Sequence, residues 1–242
     1  YLCTQQNKCT FKMSCILYIE TSTSVCSVAV SHEGHIIYDQ LEKEGPRQAT
    51  ILAPMVRDAL SFADSHAIPL DYVALSSGPG SYTGLRIGSS TAKGVCYGRS
   101  VKLVSVQTLK LLTVPLLLYH DEIEENALFC PMIDAGRMEV YTAVYDRALK
   151  EIRPTEAVIV EKGTFDDLLE KQPVYFFGNG AEKCETVIAH SNAHFVKGII
   201  PEARNMLPLA QQSIAKGEFE DVAYFEPYYL KEFIATTPKK LL

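Results

Sequence analysis

A glycine-rich stretch between Ser76 and Gly88, SSGPGSYTGLRIG, has the composition of a loop that could bind phosphate. Backbone amides at the start of a helix can hold an anion, and Ser81 or Thr83 could cap the helix that follows. The Walker A pattern does not fit, because no Gly-Lys pair follows at the required spacing. The dinucleotide fingerprint G-x-G-x-x-G does not fit either, because its third glycine comes one residue too late. Phosphate binding would therefore depend on the helix terminus alone.

The helix predicted after this stretch, from about Leu85 to Tyr97, is rich in glycine, serine and alanine. Glycine inside a helix costs roughly 0.5–1 kcal/mol relative to alanine. Such a helix is tolerated where another group must come very close, whether a neighbouring helix, a partner's helix or a ligand. We favour close packing, and we keep phosphate binding as the alternative.

Two acidic residues, Glu20 and Asp134, each end an apolar run that predicts a buried strand. In a fold with two similar lobes, these carboxylates could face each other across a cleft and bind an ion or transfer protons. The simpler interpretation is that each one braces its own hairpin turn. Together with Ser81 and Thr83, they are the residues that we consider for contact with a nucleotide or an ion.

Other residues with suitable chemistry lack suitable surroundings. His190 and His194 have the spacing of two metal ligands on one helix face, but the sequence around His190 predicts a loop, and no nearby acid is clearly a third ligand. Ser22, Ser24 and Ser81 lie outside the nucleophile motif G-x-S-x-G and have no evident histidine partner. Turn and cap roles are favoured for these serines. We predict no catalytic residue and no metal ligand.

The first half of the chain predicts a hairpin, a helix and further strands that would position these residues. A helix at about Arg47–Asp64 has apolar residues at helical spacing, and Pro54 should bend it or mark a late start. The predicted strands of this half are Cys15–Glu20, Cys26–Ser31, His35–Asp39, Tyr72–Leu75 and Val101–Ser105.

The second half repeats this plan. Its predicted strands are Leu128–Asp134, Glu139–Tyr145 and Val174–Phe177, and the last of them runs into Gly-Asn-Gly as Tyr72–Leu75 runs into Gly-Pro-Gly. The first strands and the hairpins of the two halves align at one common offset, which indicates an internal duplication. The sequence therefore predicts an α/β fold with two similar lobes that face a cleft.

The predicted lobes divide the chain near residue 108. We expect a first lobe at residues 13–108 and a second lobe at residues 109–222. The segment 223–242 should pack back on the body through its aromatic residues. Because Met13 precedes the first strand, residues 1–12 are expected to be an upstream extension, either read-through or a remnant of expression.

Composition limits the class of protein. The net charge of −6 argues against a chain that binds nucleic acid by itself, because phosphate binding needs a basic surface. The 7 cysteines form no C-x-x-C pair, which is typical of a reducing cytosol. No apolar run approaches the roughly 18 residues of a membrane helix. We expect a cytoplasmic protein that has no membrane partner.

The stretch SSGPGSYTGLRIG resembles the motif S-x-G-P-G-S-[FY]-T-G-[LV]-R-[IV]-G of the TsaB family, bacterial proteins of tRNA threonylcarbamoyladenosine biosynthesis. The segments ILYIETSTSVCSVAV, IDAGRMEVYTAVY, GNG, NMLPLA and EPYYLK are similar to family segments in the same order. The resemblance covers residues 13–240. Glu20 departs from the aspartate that the family usually has there, which weakens a catalytic role for this position.

The resemblance implies an actin-like fold, of the sugar kinase, Hsp70 and actin class, and a non-catalytic scaffold or activator role. The implied partners are a catalytic paralogue of TsaD type and an ATPase subunit of TsaE type. Together they would transfer a threonylcarbamoyl group from its adenylate to the adenosine 3′ of the anticodon in tRNAs that read A-starting codons. This chain would have no cofactor of its own, and ATP or ADP and a metal would lie on the partners or at the interface.

The resemblance also implies where partners bind. In the family, the first helices of the N-terminal lobe form a bundle with the partner, and here they correspond to about Arg47–Asp64 and Gly84–Gly98. The implied interface residues are Ile51, Leu52, Met55, Val56, Gly84, Ile87, Gly88 and Thr91. The first of these helices lacks the histidine pair with which catalytic paralogues hold a metal. tRNA would bind through the complex, and the isolated chain could form a homodimer.

Two enzyme hypotheses compete with the scaffold hypothesis. The first is an actin-like ATPase or kinase that uses Glu20, Asp134 and the two glycine turns around a nucleotide. The second is a metallopeptidase that uses His190 and His194. The first predicts tight nucleotide binding by the isolated chain, and the second predicts stoichiometric metal.

Overall fold

A computed structural model of the protein describes residues 14–43, 48–120 and 122–231. The first lobe contains a five-stranded mixed sheet with the order β3-β2-β1-β4-β5, in which β1 to β3 are antiparallel and β4 and β5 run parallel to β1. Its strands are β1 Cys15–Glu20, β2 Cys26–His32, β3 His35–Glu42, β4 Tyr72–Gly78 and β5 Lys102–Gln107.

The second lobe repeats this sheet. The order β10-β9-β6-β7-β8 has the same connectivity, with β6 to β8 antiparallel and β9 and β10 parallel to β6. The predicted duplication and the actin-like class of fold are therefore confirmed. The strands are β6 Leu128–Asp134, β7 Glu139–Tyr145, β8 Glu151–Ile159, β9 Val174–Phe177 and β10 Ala193–Val196.

Helices cover both faces of the first sheet. Because strand residues alternate between faces, Leu17 and Ile19 pack under the helices α1 and α2, while Tyr18 and Ala29 face the opposite side. That opposite side is covered by a short 3₁₀ helix and α5. The helices are α1 Gln48–Ser65, α2 Tyr82–Arg99, α3 Thr108–Tyr119, α4 Asp166–Leu169 and α5 Leu207–Lys216, and the 3₁₀ helix is Ala203–Met206.

Helix α3 lies between the lobes. Leu111 packs with the first sheet and the 3₁₀ helix, whereas Leu112 and Leu116 pack with Phe129 and other residues of the second sheet. A helix that is apolar on all sides must be buried on all sides. Helix α3 therefore joins the two lobes by contributing residues to a separate apolar cluster on each side.

Most predicted elements have the observed type. The predicted bounds of four strands, β1, β6, β7 and β9, agree with the structure. Strand β4 was predicted to end at Leu75, but it continues to Gly78. Helix α1 begins at Gln48, well before Pro54, so the late start is wrong. Helix α2 begins at Tyr82, earlier than expected, because Ser81 caps it.

The predicted second lobe, residues 109–222, needs a correction. Residues 203–216 pack on the first sheet, because Ile16, Tyr18 and Ala29 form an apolar face there that needs a cover. The segment from residue 223 to residue 231 also lies against the first lobe, where Phe225 joins the core. Residues 1–12 lie outside the described residues. Within the described ranges, no helix is both long and apolar enough to cross a membrane.

Candidate functional site

A cleft of about 590 Å³ lies between the lobes, where β1 and β6 end. In α/β folds of this kind, ligands bind at the carboxyl ends of the parallel strands. The first lobe contributes the turn at 22–24, the start of α1, and the glycine loop with Ser81 and Thr83. The second lobe contributes Asp134 and Asn179. The structure thus brings three of the four residues considered for nucleotide or ion contact to one cleft.

The glycines of the loop serve close packing inside the chain. A Cβ atom at Gly80, Gly84 or Gly88 would lie less than 3.0 Å from atoms of Thr21 or Ser22, closer than real Cβ atoms approach. The loop and α2 can therefore lie directly against the turn that follows β1. The close packing that the sequence predicted for these glycines is therefore with a neighbour inside the chain and not with a partner's helix.

Hydrogen bonds fix this contact. The Ser81 backbone N–H donates to the Ser22 carbonyl at 2.6 Å, and the Thr21 hydroxyl donates to the Gly84 carbonyl at 2.8 Å. Ser81 also caps α2, because its hydroxyl oxygen accepts from the Gly84 N–H at 3.3 Å. The glycine loop, the first turn of α2 and the β1 turn therefore form one rigid unit.

Glu20 is sealed beneath this unit and does not line the cleft. Its side chain is fully buried, and Oε1 accepts hydrogen bonds from the backbone N–H and the hydroxyl of Ser22. Within the described part of the chain, its Oε2 has no hydrogen-bond partner. Burial raises the pKa of Glu20, against the opposing effect of the hydrogen bonds from Ser22. The expected contact of Glu20 with a ligand in the cleft is therefore wrong.

Asp134 lines the cleft, but a lysine neutralises it. Lys183 donates to its Oδ1, and the Gly136 N–H donates to the same atom at 2.9 Å. Partial burial raises the pKa of Asp134, but the hydrogen bonds from Lys183 and Gly136 outweigh it, so the pKa lies below its ordinary value. Asp134 thus braces its own hairpin turn, and it forms no carboxylate pair with the buried Glu20.

The two histidines have separate environments. His190 accepts a hydrogen bond at Nδ1 from the Asn192 N–H at 3.1 Å, and His194 stacks on Tyr175 within β10. The loop predicted around His190 agrees with the structure, and His194 lies in β10 at the edge of the second sheet. In the part of the chain that the structure describes, no three His, Cys, Asp or Glu residues are grouped as metal ligands.

The expected interface residues divide into two sets. Leu52, Met55, Gly84 and Gly88 are buried in the first lobe, and Val56 reaches only the floor of a surface groove. Leu52 and Met55 pack in the core of the first lobe, and Gly84 and Gly88 face the turn after β1. The half-buried residues of the set are Ile51, Ile87 and Thr91.

The solvent side of α1 and α2, which we call the outer helix face, includes Val56 and Thr91 of the expected set together with other residues. A groove of about 340 Å³ runs between the helices. Arg99 of α2 forms two hydrogen bonds of 2.6 and 3.0 Å with Asp64 of α1 beside it. Tyr97 is 87% exposed. The groove is lined by Ala53, Val56, Arg57, Leu60, Ser61, Asp64, Thr91 and Arg99.

Two glycines of α2 belong to this face. Among the described residues, no atom lies within 4 Å of the Cβ positions of Gly94 and Gly98, in contrast to Gly84 and Gly88. With Ser90 they recur every four residues, which places them along one side of the helix. That spacing was the signal in the sequence that could have distinguished the outer glycines from the inner ones.

The duplicated sheets and the cleft between them define a protein of the actin-like class. Residues 46–239 match the family model of TsaD, described as tRNA N6-adenosine threonylcarbamoyltransferase. Two solved structures from Pseudomonas aeruginosa are similar over 90% of this chain and all of theirs. One is YeaZ, with 26% identity and a TM-score of 0.71. The other is a protein with similarity to peptidase YeaZ, with 27% identity and a TM-score of 0.76.

Comparison with curated relatives identifies the family to which the chain belongs. The tRNA threonylcarbamoyladenosine biosynthesis protein TsaB of Escherichia coli (strain K12) is 30% identical over 227 residues, which cover 91% of this chain and 96% of the relative. TsaB of Bacillus subtilis (strain 168) is 27% identical over 223 residues, covering 89% and 93%. The chain belongs to the TsaB family.

Proposed function

We propose that this chain is a non-catalytic subunit in the biosynthesis of threonylcarbamoyladenosine in tRNA. It would support a catalytic paralogue of TsaD type that transfers threonylcarbamoyl from its adenylate to the adenosine 3′ of the anticodon, in tRNAs that read A-starting codons. Family membership supports the tRNA modification. The observation that carries the non-catalytic role is the sealed carboxyl of Glu20 at the end of β1.

The chemistry of the cleft supports this role. A buried carboxyl with a raised pKa is a poor ligand for a cation, because its neutral form is favoured. Across the cleft, the negative charge of Asp134 is already balanced by Lys183. The two positions that an actin-like enzyme would use for metal and phosphate are thus occupied by internal contacts.

The outer helix face is the surface that we assign to the catalytic paralogue. Two open glycines would let a partner's helix approach the α2 backbone, and exposed Tyr97 would add a large amphipathic contact. Arg57 and Asp64 would supply the polar rim of such an interface. In the absence of the paralogue, a second copy of this chain could occupy the same face.

The remaining parts of the machinery follow from this assignment. The ATPase subunit of TsaE type, ATP or ADP and the metal belong on the partners or at the interface. Since the net charge of this chain is −6, tRNA would bind mainly to other subunits of the complex. The proposed location is the cytoplasm, where tRNA is modified.

Reconstitution tests the proposal. This chain, a TsaD-type paralogue, a TsaE-type ATPase and a threonylcarbamoyl-adenylate synthase are mixed with unmodified tRNA, and labelled threonine is followed into the tRNA. We expect incorporation to require this chain. Equal incorporation in its absence would contradict the scaffold role.

A bulky substitution tests the outer helix face. Gly94→Trp should fold normally, because the space around Gly94 is open, yet it should block a close helix contact. We expect at least a tenfold loss of affinity for the paralogue by calorimetry, equivalent to about 1.4 kcal/mol, and a parallel loss of tRNA modification. Lys216→Trp on exposed α5 is the matched control. Normal paralogue binding by Gly94→Trp would exclude this face.

A nucleotide-binding ATPase or kinase is the second candidate, favoured by one observation. The cleft contains the N-terminus of α2 and the exposed residues Ser24 and Thr83, whose hydroxyls can bind phosphate oxygens. Titration calorimetry with Mg-ATP, with and without the paralogue, separates the two functions. Tight binding and turnover by the isolated chain would favour the enzyme.

A further inference from the structure

The segment 220–231, here called the strap, begins on the first lobe. The Glu220 N–H donates to the Leu103 carbonyl at 2.9 Å, and the Glu220 carboxylate accepts from the Ser105 hydroxyl at 2.6 Å. Further along, Phe225 is buried in the first core, and Lys93 of α2 donates to the Ala223 carbonyl at 3.2 Å. This half of the strap is therefore firmly fixed to β5 and α2.

The strap next contacts the glycine loop. The Tyr228 N–H donates to the Ser77 carbonyl at 2.7 Å. The Tyr228 carbonyl oxygen lies 2.7 Å from the position that a Cβ of Gly78 would have, so a side chain there would collide with the strap. Tyr229 packs on Tyr82, the first residue of α2, with 4.8 Å between ring centroids. The strap thus holds the loop that forms one wall of the cleft.

The strap ends on the second lobe. Lys231 forms an ion pair with Glu139, the first residue of β7. The backbone carbonyl of Glu139 accepts from Lys183 at 2.6 Å, and Lys183 in turn binds Asp134 in the cleft. This ion pair therefore links a strap fixed to the first lobe with the cleft-lining residues of the second.

We propose that the strap is a conformational latch between the lobes: release of the Lys231–Glu139 ion pair lets the cleft widen around α3. Helix α3 supplies the permanent connection, since it is buried in both lobes. The ion pair is partly exposed, with 46% of the Lys231 side chain and 21% of the Glu139 side chain accessible. Such pairs contribute little and are screened by salt, so the latch opens easily. The inference rests on the fold and is independent of the proposed function.

Distance measurements between the lobes test the latch. Spin labels are placed at Ala49→Cys in α1 and Glu156→Cys in β8, with Cys3 and Cys9 replaced by serine, and pulsed electron resonance gives the distance distribution. The cysteines of the described residues are buried and should stay unlabelled. We expect Lys231→Glu to raise the population with the longer distance about two- to fivefold, the range that an exposed ion pair supports.

Two further variants decide the outcome. The charge exchange Lys231→Glu with Glu139→Lys should restore the parent distribution, because it recreates the pair. Lys197→Glu is the control, since it breaks an exposed ion pair with Glu185 inside the second lobe and should change nothing. Identical distributions for the parent and Lys231→Glu would overturn the latch, as would failure of the charge exchange to restore the parent. Thermal melts of each variant confirm that it is folded.

Discussion

Glu20 is the last residue of β1. Its burial, more than the charge of its carboxyl group, determines what it can bind. The carboxyl accepts two hydrogen bonds from Ser22 and is closed off from the cleft by the packed glycine loop. The sequence located this residue correctly at the end of a buried strand. It could not show whether the side chain faces the cleft or the core, because that depends on how closely α2 approaches the β1 turn.

Replacement of Glu20 by glutamine should reveal its protonation. Because burial raises its folded-state pKa above the ordinary 4.5, the folded protein keeps a proton that the unfolded chain loses. Stability from this residue is thus complete below pH about 4.5 and falls as pH rises toward the raised pKa. Glu20→Gln removes that loss and keeps an acceptor for Ser22.

We therefore expect the free energy of unfolding of Glu20→Gln relative to the parent to increase as the pH rises above 4.5, the ordinary pKa of the residue. Urea unfolding at each pH measures it. Glu20→Ala serves as a control, since it removes the acceptor and should be less stable than Glu20→Gln throughout. If the difference in the free energy of unfolding between the parent and Glu20→Gln stayed constant with pH, it would contradict a raised pKa of Glu20.

The inner and outer glycines of α2 should respond oppositely to alanine. Gly84→Ala would place a Cβ against the backbone carbonyl of Thr21 and should destabilise the protein by about 1–3 kcal/mol. Gly94→Ala meets open space and should stabilise by about 0.5–1 kcal/mol. Urea midpoints measure both. A similar change for both glycines would show that local helix propensity, not packing, decides their effect.

At the scale of elements, strands were easier to predict than the arrangement of helices. The apolar runs of β1, β6 and β7 gave correct bounds, because a buried strand leaves a clear local pattern. The outward side of α2 did not follow from its composition, since small residues lie on both sides. Likewise, nothing local in residues 203–216 indicates that they cover the first sheet instead of the second.

Helix α3 should be the most sensitive element outside the sheets. Leu112 is 1% exposed and packs against the second sheet. Leu112→Ala should lower the free energy of unfolding by about 2–5 kcal/mol. The substitution leaves a cavity between α3 and the second sheet that their packing cannot close. Leu118→Ala, on the exposed end of the same helix, is the matched control and should have little effect. Calorimetric melting measures both, and equal stabilities would argue against α3 as the interlobe core.

At the scale of the whole molecule, the duplication was predictable and the long-range side-chain contacts were not. The matching hairpins predicted two sheets of the same topology and a cleft between the strand ends. The sequence did not indicate that Lys183 would balance Asp134, because these residues are far apart in the chain and meet only through the loop after β9. It also gave no sign that the strap would reach Glu139.

The return of residues 203–216 to the first sheet has a consequence for synthesis. A ribosome releases the chain from its N-terminus, so β1 to β5 emerge long before their cover does. Until Ala203, Met206 and Ala210 leave the exit tunnel, Ile16 and Tyr18 lack most of the cover on that face, where only α3 contributes a residue, Leu111, earlier in the chain. The first lobe therefore completes its folding only after the strands of the second lobe have been synthesised, and one face of its sheet stays incompletely covered in the meantime.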